Sequence, residues 1–260
     1  MTVRILAGIL FAIIVGALAR RTRALSTSGA LAAGVVGALA TIAGWNWAAL
    51  LIVYFAVATA LSHLGADRKE ARTRAVVAKA GPRDARQVFA NGAPFAFAAL
   101  GAIVAPHPAW SALACGSIAA SASDTWSTEI GTLRGGEPRS IIGWRRVPPG
   151  TSGGITTAGT LAGAVGALFT ALVCLALGWP RLLAIAALVA GFAGGLMDSL
   201  LGGTVQTRRW CDACGKPTER ELHSCGANTR ITGGFRWLDN DVVNLAATLT
   251  GGLLAVALAR

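Results

Sequence analysis

The sequence predicts an all-α polytopic membrane protein, a bundle of roughly seven or eight transmembrane helices with long basic loops on one side. Three observations predict it. The 260 residues are 54% hydrophobic and only 13% charged, whereas a soluble domain carries about 25% charged residues; the mean hydropathy is +0.59. The 33 glycines suit helices packed backbone to backbone in lipid. The loops alternate between long basic and very short: those at 20–28, 63–87, 124–153 and 202–241 hold 3, 7, 4 and 6 Lys/Arg, together 20 of the 23. By the positive-inside rule these four loops are expected in the cytoplasm and both termini outside a cell membrane.

Eight apolar runs are expected to span, at 3–19, 29–43, 46–62, 88–105, 109–123, 154–178, 181–201 and 242–258. The first is followed by Arg20, Arg21 and Arg23 rather than a small-residue cleavage site, so it reads as a retained span and not a signal peptide. The second and fifth are short, which suits a tilted, re-entrant or bundle-enclosed segment.

The fourth run opens with Arg86, Gln87 and Asn91. Gln87 and Asn91 lie one turn apart. Arg86 suits a phosphate, or simply follows the charge rule. The fifth run ends in Ser121, Ser123, Asp124, Thr125 and Glu129. Two carboxylates with hydroxyls suit Mg²⁺, which takes few carboxylates and completes its shell with water and phosphate; capping or interfacial solvation is the alternative. Gly150, Thr151, Ser152 and Gly153 precede the sixth run in GTSGGIT. Such a segment at a helix start offers N–H groups to an anion, or serves as a plain turn; no Walker A pattern occurs in the chain.

The seventh run carries Asp198 between Gly194 and Gly202, with Gln206 just beyond. An acid in so apolar a setting is expected to be functional. The eighth opens with Asp239, Asn240, Asp241 and Asn244. Asp239 or Asn240 is expected to cap this helix, whereas Asn244 lies a turn inside it and needs another partner.

The last long loop, 203–240, contains Cys211, Cys214, His223 and Cys225 as C-x₂-C-x₈-H-x-C. Three thiolates and an imidazole suit a closed structural Zn²⁺ site; a redox or free thiol cluster is the alternative, and a cytoplasmic location disfavours a structural disulfide. The chain is otherwise expected to be one integral membrane domain over 1–260. The net charge of +11 is expected to face anionic lipid rather than nucleic acid, for which no fold signature is present. Histidine occurs only at 63, 107 and 223, which disfavours His-dependent acid–base chemistry and favours holding metal and phosphate.

The series RQVFANG, SASDTWSTEIG, GTSGGIT, DSLLGGTVQ, CDACGK–TE–HSCG and DNDVVN, in order from about residue 81 to 250, resembles the membrane family called domain of unknown function 92, or transmembrane-protein-19-like. Its plant plastid member is the phytyl-phosphate kinase of tocopherol synthesis, and related membrane kinases use CTP. Relatives often read GATVQ where this chain has Gly203. The resemblance implies a kinase that converts an isoprenoid lipid monophosphate to the diphosphate, with CTP or another nucleoside triphosphate as donor. On that reading Asp124, Glu129, Asp198 and Asp241 hold Mg²⁺ and its phosphates. Thr125, Gln206, Asn240 and Asn244 orient them, and Arg86 and the 150–154 loop bind phosphate oxygens. A homodimer fits this reading. A CTP-using lipid-phosphate cytidylyltransferase and an ion-coupled secondary transporter stand as alternatives; a merely structural bundle requires Asp124, Asp198 and Asn244 to point apart.

Overall fold

The structure is a computed structural model that describes residues 24–79 and 81–260 and, before them, residues 6, 8, 10, 16 and 19–21. The predicted first span, 3–19, therefore lies largely outside the described residues. Eight helices follow: α1 (Thr27–Ala43), α2 (Trp45–His63), the short α3 (Ala66–Thr73), α4 (Ala85–Val104), α5 (Pro108–Arg134), α6 (Thr157–Ala176), α7 (Arg181–Thr204) and α8 (Asn240–Leu258). Among the described residues five helices, α2, α4, α6, α7 and α8, are long and apolar enough to cross a membrane, and α1 is a shorter apolar helix.

The helix starts follow local chemistry. Ser26 and Thr156 accept from the N–H of Gly29 and Gly159. Asp84 and Gln87 form a reciprocal capping box at α4, and Asp239 caps α8 through Val242 N. Pro94 lies inside α4, as is tolerated where neighbouring helices satisfy the freed backbone.

The fifth span departs from expectation and does not end at 123. α5 runs on to Arg134, 27 residues in all, about 40 Å at 1.5 Å per residue. Asp124 and Glu129 therefore sit within a continuous helix and cap nothing. α5 is also not a marginal segment but the axis of the bundle, with every residue from Ala112 to Ser123 buried. That is the pattern of a helix enclosed on all sides.

Its neighbours approach on glycine. A Cβ at Gly194 or Gly251 would lie 2.6 Å from the Ala120 methyl, one at Gly166 would lie 2.9 Å from Ala122 O, and one at Gly195 would lie 2.9 Å from Ser123 Cβ. Small residues thus replace the hydrophobic effect, which does not drive helix association in lipid. The apolar core, with Trp47, Phe95, Ile118 and Trp179, fills the half of the bundle around the N-terminal half of α5. Its ring centroids lie 5.7 Å apart (Trp47–Phe95) and 6.3 Å apart (Trp47–Trp179).

The long loops carry structure of their own. In 135–156, β1 (Arg139–Ser140) pairs antiparallel with β2 (Gly154–Ile155). The 203–240 segment, read from sequence as a loop, holds a three-stranded antiparallel sheet in the order β4 (Lys216–Thr218), β3 (Arg208–Cys211), β5 (Arg230–Gly233).

Candidate functional site

The loop-bearing ends of α2, α4, α5, α6, α7 and α8 enclose a cavity of about 1090 Å³. Pockets for drug-sized ligands measure roughly 300–1,000 Å³, so this cavity slightly exceeds that range. Of the residues singled out from the polar motifs, Arg86, Gln87, Asn91, Ser123, Asp124, Thr125, Glu129, Gly150, Thr151, Ser152, Gly153, Asp198, Gln206, Asp239, Asn240, Asp241 and Asn244 line it, and Ser121 lies behind the lining. The structure thus brings Asp124, Asp198 and Asn244 together rather than pointing them apart. The Cys/His cluster lies outside the cavity.

The cavity is charged in a specific way. Seven basic side chains line it (Lys69, Arg72, Lys79, Arg83, Arg86, Arg209 and Arg236), and so do seven acidic ones (Asp124, Glu129, Asp198, Glu219, Glu221, Asp239 and Asp241). Four pairs neutralise each other. Lys69 meets Glu129, Lys79 meets Asp241 at 2.6 Å, Arg86 meets Asp239 at 2.9 Å, and Arg209 meets Glu221 at 2.7 Å. Among the described residues, the remaining acids (Asp124, Asp198 and Glu219) have no cation within ion-pair distance. Among the same described residues, the remaining guanidiniums (Arg72, Arg83 and Arg236) have no carboxylate within it.

Asp124 on α5 and Asp198 on α7 face each other, and both are half-buried because they open onto the cavity. Gly195, one turn before Asp198, packs directly on Ser123, the residue before Asp124, so the helix contact itself sets the carboxylates side by side. Asn244 on α8, with its amide nitrogen towards Asp198, donates to Asp198 Oδ2 at 2.8 Å and to Asn240 O at 3.2 Å. Two neighbouring carboxylates with no cation among the described residues, steadied by an amide, have the chemistry that suits a hard divalent cation.

The two other expected metal ligands are already engaged. Lys69 Nζ donates to Glu129 and to the carbonyls of Leu61 and Ser62 at 2.7 and 2.9 Å, and Ser62 Oγ donates to Glu129 at 2.8 Å. Asp241 is buried against Lys79, with Arg86 Nε at 3.7 Å.

Other members serve as scaffolding. Gln87 is spent in its capping box. Asn91 accepts from Ser121 Oγ at 2.7 Å and donates to Gln87 O at 3.0 Å, with Tyr54 Oη 2.6 Å from Ser121 Oγ. The 150–154 glycines do not open a helix, because β2 and the Thr156 cap intervene before α6. The loop instead seats on the end of α7. Gly153, at φ +74°, leaves no room for a side chain, and a Cβ there would lie 2.9 Å from Ser199 O. The Thr151 hydroxyl is buried with no hydrogen-bond partner among the described residues.

Glu219, which follows β4, is the E of the TE in the motif series and was given no role from sequence. It accepts from Ser152 Oγ and from Gln206 Nε2 at 3.2 Å. Burial pushes its carboxyl above the usual range, more than these bonds lower it. Lys69 was missed as well, hidden in the charge run ADRKEART.

The cavity also has an apolar arm lined by Ala33 and Val36 on α1, Leu51, Ile52 and Phe55 on α2, and Val88 and Gly92 on α4. One space therefore joins a polar, charge-sorted end to a greasy channel between helices.

Comparison with known proteins agrees with this architecture. Residues 10–252 match the model of the family described as Integral membrane protein DUF92. An uncharacterized membrane protein of Methanocaldococcus jannaschii is 30% identical over 257 residues, 98% of this chain and 94% of that protein. Protein PGR of Arabidopsis thaliana is 30% identical over 278 residues, covering 95% and 94%. The Arabidopsis chloroplastic protein VTE6 is 31% identical over 242 residues, covering 89% and 64%. No solved structure matches the chain.

Proposed function

From the premise that this chain belongs to the DUF92 family of integral membrane proteins, we propose that it transfers the terminal phosphoryl group of CTP to an isoprenoid lipid monophosphate. The observation that carries the reading is the charge sorting of the cavity: among the described residues, Asp124 and Asp198 face each other without a cation, while Arg72, Arg83 and Arg236 stand without a carboxylate. Unpaired carboxylates suit Mg²⁺ and unpaired guanidiniums suit phosphate oxygens. The motif series resembles a family with a plant phytyl-phosphate kinase, which supports an isoprenoid acceptor, as does the apolar arm beside the charged end.

Asp124 and Asp198 would hold Mg²⁺, which when bound draws charge from the phosphate oxygens. Arg72, Arg83 and Arg236 neutralise the donor and acceptor phosphates. Thr151, Ser152, Gln206 and Asn240 orient them, and Asn244 fixes the Asp198 carboxylate. Glu129 and Asp241 act through Lys69 and Lys79 rather than as ligands.

In the reaction an oxygen of the lipid monophosphate attacks the γ-phosphorus. The bond from that phosphorus to the β–γ bridging oxygen breaks, and the nucleoside diphosphate leaves with the electron pair. A phosphate monoester, with a second pKa of about 6, is already an anionic nucleophile at neutral pH, so no side chain needs to remove a proton. Positioning and charge neutralisation carry such transfers. The charged end would face the cytoplasm of a multi-pass cell-membrane protein, in line with the positive-inside rule.

The test is turnover by the purified protein in lipid nanodiscs with Mg²⁺, CTP or ATP labelled at the γ-phosphate, and a panel of prenyl monophosphates. The expected product is labelled prenyl diphosphate. Release of pyrophosphate with a nucleotide-linked lipid would replace the kinase with a cytidylyltransferase. No turnover with any acceptor, together with ion-driven uptake in vesicles, would overturn both.

A further inference from the structure

The four-residue cluster in the β3–β4–β5 insert stands apart from the cavity and has a geometry of its own. The ligand atoms of Cys211, Cys214, His223 and Cys225 all lie within 4.8 Å of one another. The Cys211 and Cys225 sulfurs are 3.6 Å apart, well beyond a disulfide bond, and His223 Nδ1 lies 3.1 Å from the Cys225 sulfur. A tetrahedron with Zn–S bonds of about 2.3 Å and Zn–N bonds of about 2.0–2.1 Å has S···S edges of about 3.8 Å and S···N edges of about 3.6 Å. The Cys211–Cys225 spacing is close to the S···S edge, and the His223–Cys225 spacing is about 0.5 Å shorter than the S···N edge.

The backbone is shaped for the same purpose. Each ligand pair is closed by a glycine in the left-handed region immediately after its second ligand: Gly215 at φ +62° after Cys214, and Gly226 at φ +85° after Cys225. The turns are tied by Gly215 N to Cys211 O and by Gly226 N to His223 O, both at 2.9 Å. Two such turns, one between β3 and β4 and one between β4 and β5, bring the four ligand atoms together. Cys211 and His223 are buried, while Cys214 and Cys225 are exposed.

We infer that Cys211, Cys214, His223 and Cys225 bind one structural Zn²⁺ that staples the insert against the rim of the cavity. The sheet is too small to hold itself together, with strands of 4, 3 and 4 residues. Few such sheets are stable without a metal, a disulfide or a packed face. What the staple positions is specific. β4 runs directly into Glu219, whose N–H donates to Val76 O at 2.8 Å, and Arg220 Nε donates to Val77 O at 2.8 Å. The insert thereby holds both the Glu219 carboxylate on Ser152 and Gln206 and the segment that leads to Lys79.

The zinc site is independent of the reaction. It is tested on the full-length protein in detergent, purified in metal-free buffer, by elemental analysis and by a titration of released metal with a mercurial thiol reagent. One zinc per chain, freed in step with modification of three thiols, is expected. Protein produced in cobalt medium should show the intense thiolate-to-metal and tetrahedral d–d absorption of a three-sulfur site. Cys225→Ser should lose the metal, and on brief proteolysis the 206–233 segment should be cut at least about tenfold faster than in the parent. Should that variant fail to fold, the cobalt spectrum of the unmutated protein stands as the independent measurement. Iron in place of zinc, a mapped Cys211–Cys225 disulfide, or three thiols freely alkylated in metal-free folded protein would each overturn the assignment.

Discussion

Asp198 and Asn244 divide the labour that the site requires. Replacing Asp198 by Asn keeps its shape and removes a ligand charge, so kcat should fall on the order of 10²–10³-fold with the thermal midpoint unchanged. Asn244→Ala removes only the amide that steadies Asp198. It should raise the Mg²⁺ concentration for half-maximal rate about 10–100-fold and leave the saturated rate much closer to normal; equal loss of both parameters would place Asn244 elsewhere. Lys69 has a structural part. Its ammonium meets two carbonyls and Glu129 in a mostly buried setting, so Lys69→Met should cost about 3–5 kcal/mol. Adding Glu129→Gln should recover much of that loss in thermal unfolding. Glu219 contributes in the opposite sense. Its folded carboxyl binds a proton more readily than the ordinary value of 4.5, so its contribution to stability is present at low pH and is lost as pH rises above 4.5 through the raised value. Glu219→Gln should flatten that portion of the stability profile relative to the parent. The place of Asp198 on the cavity was legible from the sequence because a carboxylate among apolar residues is costly to leave facing lipid. Lys69 and Glu219 were not, because each sits in a polar stretch and only burial distinguishes it from its neighbours.

At the scale of elements, the apolar runs foretold every described spanning helix to within a few residues, because lipid requires that much continuous apolar sequence. α5 was the exception. Its last turns, SDTWSTEIGTLR, are too polar to read as a span, since their polar residues face a cavity rather than lipid. The α5–α7 contact is where an element controls chemistry. Gly195→Val should force α7 away from Ser123 and separate the two carboxylates, with activity falling at least about tenfold while the protein remains folded. Ser123→Gly in the same chain should restore a substantial part by removing the atom that the new side chain strikes. If the double variant is no better than the single one, the contact does not set the carboxylate spacing. The small sheet after α7 was invisible to periodicity because its strands are only three or four residues long; its ligand spacing was the readable part.

For the whole molecule, the loop charges and the cavity describe the same end of the bundle. The loops that carry 20 of the 23 basic residues supply every guanidinium in the cavity, including Arg86 at the very start of α4. The polarity of the chain, read as a counting rule, is thus also the electrostatics of the site. The apolar arm between α1, α2 and α4 adds a kinetic consequence. A ligand that enters through it is dissolved in two dimensions, and the proposed kinase would respond to its mole fraction in the lipid rather than to its molarity in the tube. Diluting the acceptor with inert phospholipid at constant total acceptor should slow the reaction, whereas adding buffer at constant lipid composition should leave the initial rate per vesicle unchanged. Rate tracking bulk molarity instead would mean that the acceptor arrives through water, and that the arm serves some other end.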